Sequence, residues 1–407
     1  MVSRPASLAS LPERAARILQ NIDAIDPVAW NRCANPASGE YNPFLDHRFL
    51  SALEQSGSVS AETGWQPFHV VLSDPDGGMN DAVGVVPMYL KAHSHGEYVF
   101  DSGWAQAFYQ AGGRYYPKLQ VSVPFTPATG RRLLVADGLD TDEIENMLLG
   151  ATVQVAKQIE VSSVHLTFMP EAQWRRAGEL GCLLRIDTQF HWLNDSYDTF
   201  DDFTAALSSK KRKNIRRERR EALAEGIEIE WLTGHITEAQ WDAFYAFYVD
   251  TGSRKWGTPY LTREFFSRVG ETMPDQVLLI MCKRDGRYIA GAINFIGENT
   301  LFGRNWGCIE DHRFLHFEVC YYQAIDFAIE HGLQRVEAGA QGAHKLARGY
   351  MPQPTYSAHW IRDPRLRSAV HRYLKDERRY VEEDIAYVEQ RHSPFRVDVR
   401  LPQADLR

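Results

Sequence analysis

The sequence of 407 residues has no long apolar run and no CxxC pair of cysteines. A helix needs about 18 consecutive apolar residues to cross a bilayer, so no transmembrane segment is expected. The five cysteines are scattered, which argues against a disulfide framework or a zinc site and favours a reducing cytoplasm. The amino terminus lacks the compact apolar core of a secretion signal, and residues 1–20 are expected to be flexible.

The two histidine pairs in the sequence also lack the further ligands that a metal site needs. His93 and His95 flank one residue at a predicted turn, and His312 and His316 stand four apart. Neither pair has a third ligand at a suitable spacing. The sequence therefore predicts no metal site.

Acidic side chains are almost missing from one stretch of an otherwise acidic chain. The formal net charge is -8, yet eight of the eleven positions from Lys210 to Arg220 are Lys or Arg. The single acid there is Glu218, so the segment carries +7 and the remainder of the chain carries -15. A solvated helix normally mixes both signs, because like charges on one face repel each other.

The basic stretch predicts a helix over residues 208–225, capped by Ser208 or Ser209, with a thin apolar stripe. The stripe consists of Ile215, Ala222 and Leu223. The candidates for polyanion binding are Lys210, Lys211, Arg212, Lys213, Arg216 and Arg217. A tRNA, a phospholipid surface or a pyrophosphate-linked precursor would neutralise this charge, and so would the acidic remainder of the protein. No aromatic residue interrupts the run, so stacking of single-stranded bases is not expected here.

A pattern of elements occurs twice along the chain. In the first half, FHVVLSDPDGGMNDAVGVVPMYLK predicts two strands joined by an Asp-Gly turn, and GEYVFDSGW predicts a third strand. In the second half, VLLIMCKRDGRYIAGAINFIG and TLFGRNWG repeat this order. Asp-Gly between β-rich runs is a strong hairpin signal. Helices precede each hairpin, and a helix and a strand follow it, so two α+β domains of one type are predicted.

The predicted domains cover residues 21–192 and 193–392, followed by a tail at 393–407. The first copy is longer, because Trp104 to Val164 spans 60 residues while Trp306 to Val336 spans 30. The extra segment, AQAFYQAGGRYYPKLQVSVPFTPATGRR, is interpreted as an insertion that lines a pocket between the domains or covers a sheet edge. A loop of such length inside a compact domain is usually functional.

Six segments carry a resemblance to a known family over nearly the whole chain. They are NPFLDHRFLSALE, DSGWAQAFYQAGGRYYPKLQVSVPFTP, HWLNDSYDTFDDFTAALSSKKRKNIRRERR, RKWGTPYLTREFF, LFGRNWG and EAGAQGAHKLARGYMPQPTYSAHW. With the element order, they resemble the FemAB-like branch (peptidoglycan biosynthesis or recognition proteins) of the GNAT acyltransferase superfamily. The resemblance implies tandem GNAT-like domains, each a mixed, mostly antiparallel sheet flanked by helices. The basic segment is too short for the coiled-coil arm of the better-known Fem enzymes.

The same resemblance implies an activity. Fem-type enzymes move an amino acid from an aminoacyl-tRNA to an amine on a peptidoglycan precursor. It also implies that the Lys in GAQGAHKLARGY, residues 339–350, contacts substrate phosphates. From the residues alone, this segment follows a predicted strand, its glycines permit close backbone approach, and the start of a helix favours an anion. The phosphate-binding candidates are Gly339, Gln341, Gly342, Lys345 and Arg348.

Other interpretations of residues 339–350 stay open at this point. An ordinary Gly-capped turn with exposed basic residues has the same pattern. The phosphate would come from coenzyme A, a nucleotide-linked sugar or a tRNA end. The segment lacks the usual GNAT pyrophosphate loop, Q/R-x-x-G-x-G/A, which weakens the acetyl-CoA interpretation.

Candidate catalytic residues lie near the same strands. In FGRNWG, Arg304 and Asn305 are candidates to bind a carboxylate or carbonyl, and Trp306 is a candidate apolar wall, although a buried Trp at a strand end also fits. Acyl transfer to an amine requires loss of a proton, donors for the oxyanion, and alignment. Glu337 is the candidate base, Tyr350 the candidate acid, and His344 an alternative for either role. Cations beside Glu337 would lower its pKa unless it is buried.

The sequence therefore predicts a cytoplasmic, two-domain FemAB-like acyltransferase that joins an acyl or aminoacyl group to an amine. The co-substrate is expected to be aminoacyl-tRNA or acyl-CoA, with no tightly bound cofactor. The expected partners are phosphate-bearing molecules, and the basic helix is a candidate for contact with a membrane surface. The alternatives are an acetyl- or acyl-CoA-dependent N-acyltransferase acting on a small amine and a non-catalytic protein that recognises precursors.

Overall fold

The computed structural model describes residues 14–255, 259–339 and 342–396. The strands in this part of the chain are β1 Ala15–Leu19, β2 Trp65–Pro67, β3 His69–Ser73, β4 Gly84–Val86, β5 Met88–Lys91, β6 Lys118–Val121, β7 Leu134–Val135, β8 Ser163–Met169, β9 Leu183–Leu193, β10 Glu228–Leu232, β11 Val277–Arg284, β12 Arg287–Ile296, β13 Thr300–Cys308, β14 Arg335–Glu337 and β15 Met351–Ile361. The α-helices are α1 Pro27–Ala34, α2 His47–Gln55, α3 Ser102–Gln110, α4 Thr141–Gln158, α5 Glu171–Glu179, α6 Phe200–Ala206, α7 Ser209–Ala222, α8 Glu238–Lys255, α9 Arg263–Thr272, α10 Leu315–Phe317, α11 Gln323–Glu330 and α12 Pro364–His392. A π-helix, Glu318–Tyr322, joins α10 to α11, and short 3-10 helices cover Ile22–Ala24, Met79–Asp81, Pro274–Gln276 and Ala343–Arg348.

One order of strand pairings occurs in both halves of the chain, β1 to β8 and β10 to β14. In the second half, β10 to β13 pair antiparallel in order, β13 pairs parallel with β14, and β14 pairs antiparallel with β9. In the first half, β1, β3 and β4 pair antiparallel, β5 continues β4 beyond Pro87, β5 pairs with β6, β6 pairs parallel with β8, and β8 pairs with β15. This repeat confirms the predicted tandem GNAT-like α+β fold.

Each half receives its last strand from outside its own stretch of chain. β15 follows the second half but completes the first, and β9 precedes the second half but completes it. The two exchanged strands also pair with each other, which joins strands of both halves into one sheet of order β10-β11-β12-β13-β14-β9-β15-β8-β6-β5-β2. The first-half strands β1, β3, β4 and β7 form a separate sheet in that order. The domain boundary between residues 192 and 193 stays a prediction. A cut at that point in the chain would separate β15 from the first-half sheet and β9 from the second-half sheet, which these strands complete.

The third strand of the first half is not where the sequence analysis placed it. GEYVFDSGW forms no strand, and its last residues begin α3, while the third strand is β6, inside the supposed loop insertion. The reason is polar: the Asp101 carboxylate accepts hydrogen bonds from the buried Lys118 and Tyr115 side chains. Asp101 is therefore bonded to β6 at the start of α3 and does not continue a strand. The extra residues of the first copy lie between β5 and β6.

Two predictions about the chain ends need correction. Residues 15–19, expected to be flexible, form β1 and pair with β3, and Ile18 and Leu19 pack against the hydrophobic core on either side of the strand. Residues 1–13 lie outside the described residues. In the predicted tail, Phe395 is buried and forms a bridge with Leu207, so at least residues 394–395 belong to the packed structure.

A shared aromatic core packs the halves against each other. The Phe44 ring lies 5.2 Å from that of Phe295 and 5.1 Å from that of Phe302, and the Phe49 ring lies 5.7 Å from that of Phe265. Aromatic pairs at such distances add to the effect of buried area. The cleft between the halves is therefore built on a continuous core. Among the described helices, none combines the length and apolar character required to span a bilayer.

Candidate active site

The sheet opens between β13 and β14. These parallel strands pair over only three residues, ending at Phe302 and Glu337. β13 continues to Cys308, and in the described part of the chain β12 is its only strand partner beyond Phe302, while the Cys308 N–H donates to Oγ1 of Thr251. Backbone groups on the other edge of β13 are therefore left for another partner. The continuing stretch of β13 contains the three predicted residues Arg304, Asn305 and Trp306.

Glu337, the candidate base, ends β14 and is almost completely buried. Its Oε2 atom has no hydrogen-bond partner within the described residues, and Oε1 lies 3.6 Å from Nη1 of Arg335. Burial raises the pKa of Glu337 to about 7, although Arg335, the backbone N–H of Thr129 and Arg304 act in the opposite direction. A carboxylate that is partly ionised near neutral pH suits general base catalysis.

Glu337 lines a cavity of about 320 Å³ between the halves. Loops of the first half, at residues 38–42 and 129–131, form one side, and β13, β14 and β15 form the other. Three carboxylates and two guanidinium groups line it: Glu40, Glu171, Glu337, Arg131 and Arg335. An incompletely paired carboxylate is complementary to an ammonium group, so the cavity is suited to an amine.

Arg304 lies on the open stretch of β13 and contacts neutral groups. Its Nη2 donates to the carbonyl of Phe125, the Tyr98 hydroxyl faces it, and the Phe44 ring centre lies 5.9 Å away. No carboxylate among the described residues forms an ion pair with it. Burial lowers the pKa of Arg304. A guanidinium without an ion-pair partner fits a carboxylate or phosphate oxygen of a ligand.

Lys345 is buried in the 3-10 helix that follows β14. Its Nζ donates to the carbonyl of Gly339 over 2.8 Å, and burial lowers the pKa of the ammonium to about 8. Gly342, with φ of 123°, needs to be glycine, since a Cβ there would lie 2.6 Å from the His344 ring. An ammonium has three donors, so Lys345 retains capacity for a ligand. Gln341 lies outside the described residues.

Arg348 is committed to another part of the protein. Its Nε and Nη2 donate to Glu218 over 3.1 and 3.0 Å, and its guanidinium lies 3.5 Å from the Phe317 ring centre. Glu218 is the single acid of the basic run, so this pair attaches α7 to the 3-10 helix. A phosphate would have to displace Glu218 to reach Arg348. The sequence analysis expected these cations to lower the pKa of Glu337 unless it is buried; Glu337 is buried, and burial outweighs the nearby cations.

The two alternative proton donors differ in access. Tyr350 is fully buried, its hydroxyl donates to the carbonyl of Tyr321, and burial raises its pKa well above the usual value. Tyr350 lines neither of the cavities described here, and its role as the acid stays a prediction. His344 is exposed and bonds the Tyr321 hydroxyl over 2.8 Å, and partial burial lowers its pKa, so its ring is neutral at pH 7.

Trp306 lines a smaller cavity of about 240 Å³ at the far end of β13. Its ring meets that of His316 edge to face at 5.4 Å. Asn305, half-buried, lies opposite Ile293 of β12. The structure therefore separates Trp306 from Glu337, because they line different cavities. Residues 14–255, 259–339 and 342–396 contain no cluster of His, Cys, Asp and Glu able to hold a metal ion.

The helix α7 sorts its charges by face. On the inward face, Arg219 pairs with Glu318 at 3.0 Å and Asp326 at 2.5 Å, and Glu218 pairs with Arg348. On the outward face, Arg216 and Arg217 have only an exposed or distant carboxylate, at 3.3 and 3.8 Å. No ion pair within the described residues involves the remaining cations Lys210, Lys211, Arg212, Lys213 and Arg220. Ser208 occupies the N-cap position without a side-chain capping bond.

Sequence reasoning missed the residues that the exchanged strand supplies. His191 of β9 is directly opposite Glu337, is buried, and bonds Gln189 over 3.2 Å. Burial lowers the pKa of His191 well below the usual value, so the ring is neutral. The sequence analysis treated this segment as a domain junction. The pairing of β9 with β14 depends on the strand exchange, for which residues 183–193 contain no local signal.

The open edge of β13, the repeated strand order and the cleft between two like halves define a tandem protein of the GNAT acyltransferase fold. The FemAB-like family, described as peptidoglycan biosynthesis/recognition, matches residues 21–397, and this chain belongs to it. No curated protein matches the chain.

Among solved structures, FemX is 13% identical, with 78% of this chain and 93% of that chain covered and a TM-score of 0.49. L-PGS from Bacillus licheniformis is 10% identical, with 82% and 98% covered and a TM-score of 0.48. A tandem GNAT protein from the clavulanic acid biosynthesis pathway is 12% identical, with 86% and 99% covered and a TM-score of 0.44. Family membership depends on the sequence match alone.

Proposed function

We propose that this protein transfers an acyl or aminoacyl group to an amine, with Glu337 as the general base. One observation carries the proposal: a buried carboxylate with an unpartnered oxygen and a pKa of about 7 lines the cavity between the halves. An amine at physiological pH is mostly protonated and must lose a proton before it attacks a carbonyl. A base with a pKa near 7 is ionised often enough to accept that proton.

Glu337 alone can carry the protons in the proposed transfer step. The amine binds in the cavity as an ammonium, and Glu337 takes one proton. The nitrogen lone pair then forms a bond to the donor carbonyl carbon, and the bond from that carbon to the leaving oxygen or sulfur breaks. Glu337 gives this proton to the departing oxygen or sulfur, which leaves as a hydroxyl or thiol. The carboxylate, ionised again, takes the second proton from the nitrogen and releases it to water, so the products are a neutral amide, the leaving group and one proton. Tyr350 is not required.

The donor side of the site is the open edge of β13. Arg304, which has no ion-pair partner in the described chain, and Lys345, which has spare donor capacity, are the groups we assign to the donor's carbonyl or phosphate oxygens. The outward face of α7 favours a donor with many phosphates, which supports aminoacyl-tRNA over acyl-CoA. This donor, and the cytoplasmic location in which it occurs, are parts of the proposal.

The family description supports an acceptor from the cell envelope. We propose a peptidoglycan precursor that carries a primary amine, because the cavity combines carboxylates for an ammonium with the guanidinium groups of Arg131 and Arg335 for an acidic neighbour. The outward face of α7 would remain available to the phosphates of the donor while the acceptor occupies the cavity.

A transfer assay with mass-spectrometric detection tests the proposal. Purified protein is incubated with a nucleotide-linked muropeptide and either a charged tRNA mixture or acyl-CoA. We expect an aminoacylated muropeptide from the tRNA arm, and a loss of at least about 100-fold with Glu337→Gln. Glu330→Gln, an exposed acid of α11, is the matched control and should remain fully active.

Each other result of this assay has a defined meaning. Product from acyl-CoA alone would mean that acyl-CoA, and not aminoacyl-tRNA, is the donor. Glu337 would remain the proposed base. Binding of precursor without product in any arm would indicate a recognition protein. Full activity of Glu337→Gln would contradict the assigned base.

A further inference from the structure

A loop of the first half reaches across the cleft into the second-half site. This crossing loop, residues 122–132, follows β6 and is buried from residue 122 to residue 128. The carbonyl of Phe125 accepts from Arg304, and the carbonyl of Pro127 accepts from Gln189 over 3.0 Å. Thr129 and Glu337 line the same cavity, and the backbone N–H of Thr129 acts to lower the pKa of the Glu337 carboxylate. The crossing loop thus meets the three strands β13, β9 and β14 that form the site.

A buried irregular loop has backbone groups that no ladder satisfies, and an unpaired buried carbonyl costs free energy. In the crossing loop, three such carbonyls accept from one side chain. Arg132, 1% exposed, donates from Nη2 to the carbonyl of Ala128 over 2.8 Å and from Nη1 to those of Gly130 and Arg131 over 2.9 and 3.1 Å. Its Nε donates to the carbonyl of Thr167 in β8 over 2.7 Å.

Arg132 therefore uses its guanidinium to donate hydrogen bonds to the backbone and not to form an ion pair. Within the described chain it has no ion-pair partner, and its guanidinium contacts only backbone oxygens. The planar guanidinium presents five donors in a fixed fork, which neither Lys nor Gln can reproduce. Gly130 lies close against this fork, since a Cβ there would meet Arg132 Nη1 at 3.2 Å and Asn42 at 2.7 Å. Residues 128–131 have little freedom around Arg132.

We infer that Arg132 is a positioning residue for the second-half site: it holds residues 128–131 of the crossing loop so that Thr129 N–H faces Glu337 and residues 129–131 form the cavity wall. The inference rests on the proposed function, since it assigns Glu337 the role of base. Its consequence is that the first half helps to set the protonation of a residue in the second half. The other charged or titratable groups around Glu337 are Arg335, Arg304, Glu40, Glu171, Arg131 and His191.

The pKa of Glu337 is the quantity to measure, and it does not require turnover. In the wild-type background, the difference in unfolding free energy between the protein and its Glu337→Gln variant changes with pH around the Glu337 pKa. The same pair is compared in the Arg132→Gln background. Loss of the fork releases the Thr129 N–H and removes a buried cation, so we expect the midpoint of this pH dependence to move upward by about one unit.

Arg132→Lys is the second variant, because it keeps the charge and should fold if Arg132→Gln does not. An ammonium with three donors cannot hold four carbonyl oxygens in a plane, so an upward shift is expected there too. Arg185→Gln is the matched control: this buried arginine of β9 bonds Glu377 and the Phe100 carbonyl. It should lower stability without moving the midpoint.

The outcomes separate this inference from the proposed function. An unchanged midpoint in both Arg132 variants overturns the positioning role, whatever the transfer assay shows. A shifted midpoint together with an active Glu337→Gln variant keeps the positioning of Glu337 but rejects Glu337 as the base. If transfer is observed, the pH-rate profile of Arg132→Lys should move in the same direction as the stability midpoint.

Discussion

At the scale of single residues, burial of the Glu337 carboxylate lowers the stability of the folded protein and gives this group the pKa that the proposed base requires. Its pKa in the folded protein, about 7, is above the ordinary value of 4.5. Between these values the folded state binds more protons than the unfolded state, so stability falls as pH rises through this window. Above pH 7 the Glu337 carboxyl is ionised in both the folded and the unfolded state. The buried charge then lowers the free energy of unfolding by roughly 3 kcal/mol.

Glu337→Gln is therefore expected to be more stable than the wild type at pH 8, by up to roughly 3 kcal/mol, and equally stable below about pH 4.5. Urea unfolding at both pH values measures this difference. The exposed Glu330→Gln is the control and should change the free energy of unfolding only slightly. A Glu337→Gln variant that is less stable at pH 8 would mean that the carboxylate is ionised and well paired instead.

A second residue-scale prediction concerns the pair that attaches α7. Glu218→Ala leaves the Arg348 guanidinium buried against Phe317 without its carboxylate, and breaking a buried pair typically costs about 3 to 5 kcal/mol. Glu221→Ala in the same helix removes partly exposed pairs with Arg313 and Arg217 and should cost less than about 1 kcal/mol. Thermal or urea unfolding of both variants gives the comparison. Equal losses would contradict the structural role of the Glu218 pair.

At the scale of elements, α7 resolves one question that the sequence left open. Part of its charge is neutralised by the protein's own acids, through Arg219, Glu318 and Asp326. The exposed Lys210, Lys213 and Arg220 form no ion pair within the described residues, and Arg216 and Arg217 meet only an exposed or distant carboxylate. Docking on an acidic domain therefore accounts mainly for the inward face. The outward face carries no apolar side chain beyond the marginally exposed Leu223, which favours a phosphodiester partner over insertion into lipid.

The outward face makes a prediction about salt. Lys210→Gln, Lys213→Gln and Arg220→Gln together should weaken tRNA binding at 50 mM salt and reduce the slope of log affinity against log salt by roughly 2. Arg367→Gln, Arg372→Gln and Lys375→Gln on exposed α12 remove the same charge and should leave the slope nearly unchanged. Fluorescence anisotropy at several salt concentrations measures both. Equal slopes for the two triple variants would show that only net charge matters.

Elements also show what the sequence predicts well. The Asp-Gly hairpin in the second half and the position of α7 follow from local turn chemistry and charge pattern, and both are observed. The strand expected at GEYVFDSGW is wrong, because Asp101 binds Lys118 and Tyr115 across the fold, which no local pattern reveals. Glu337 was placed correctly at a strand end, but His191 and the crossing loop reach it only through long-range pairing.

At the scale of the whole molecule, the strand exchange joins the stabilities of the two halves. The first half cannot complete its sheet without β15, and the second cannot without β9. The exchanged strands pair along nine residues, and the halves share an aromatic core. Opening either half removes the partner strand of the other, so partial unfolding of one half should not be populated.

Cooperativity of unfolding tests this view directly. Leu166→Ala in β8 and Leu301→Ala in β13 each empty a fully buried site, one in each half, and should each cost about 2 to 5 kcal/mol. Because the halves open together, either variant should lower the protection of amides in both β8 and β14 by the same free energy. Hydrogen exchange resolved by peptide mass spectrometry measures this. A variant that lowers protection only in its own half would mean that the halves unfold separately and that the exchanged strands contribute little to their coupling.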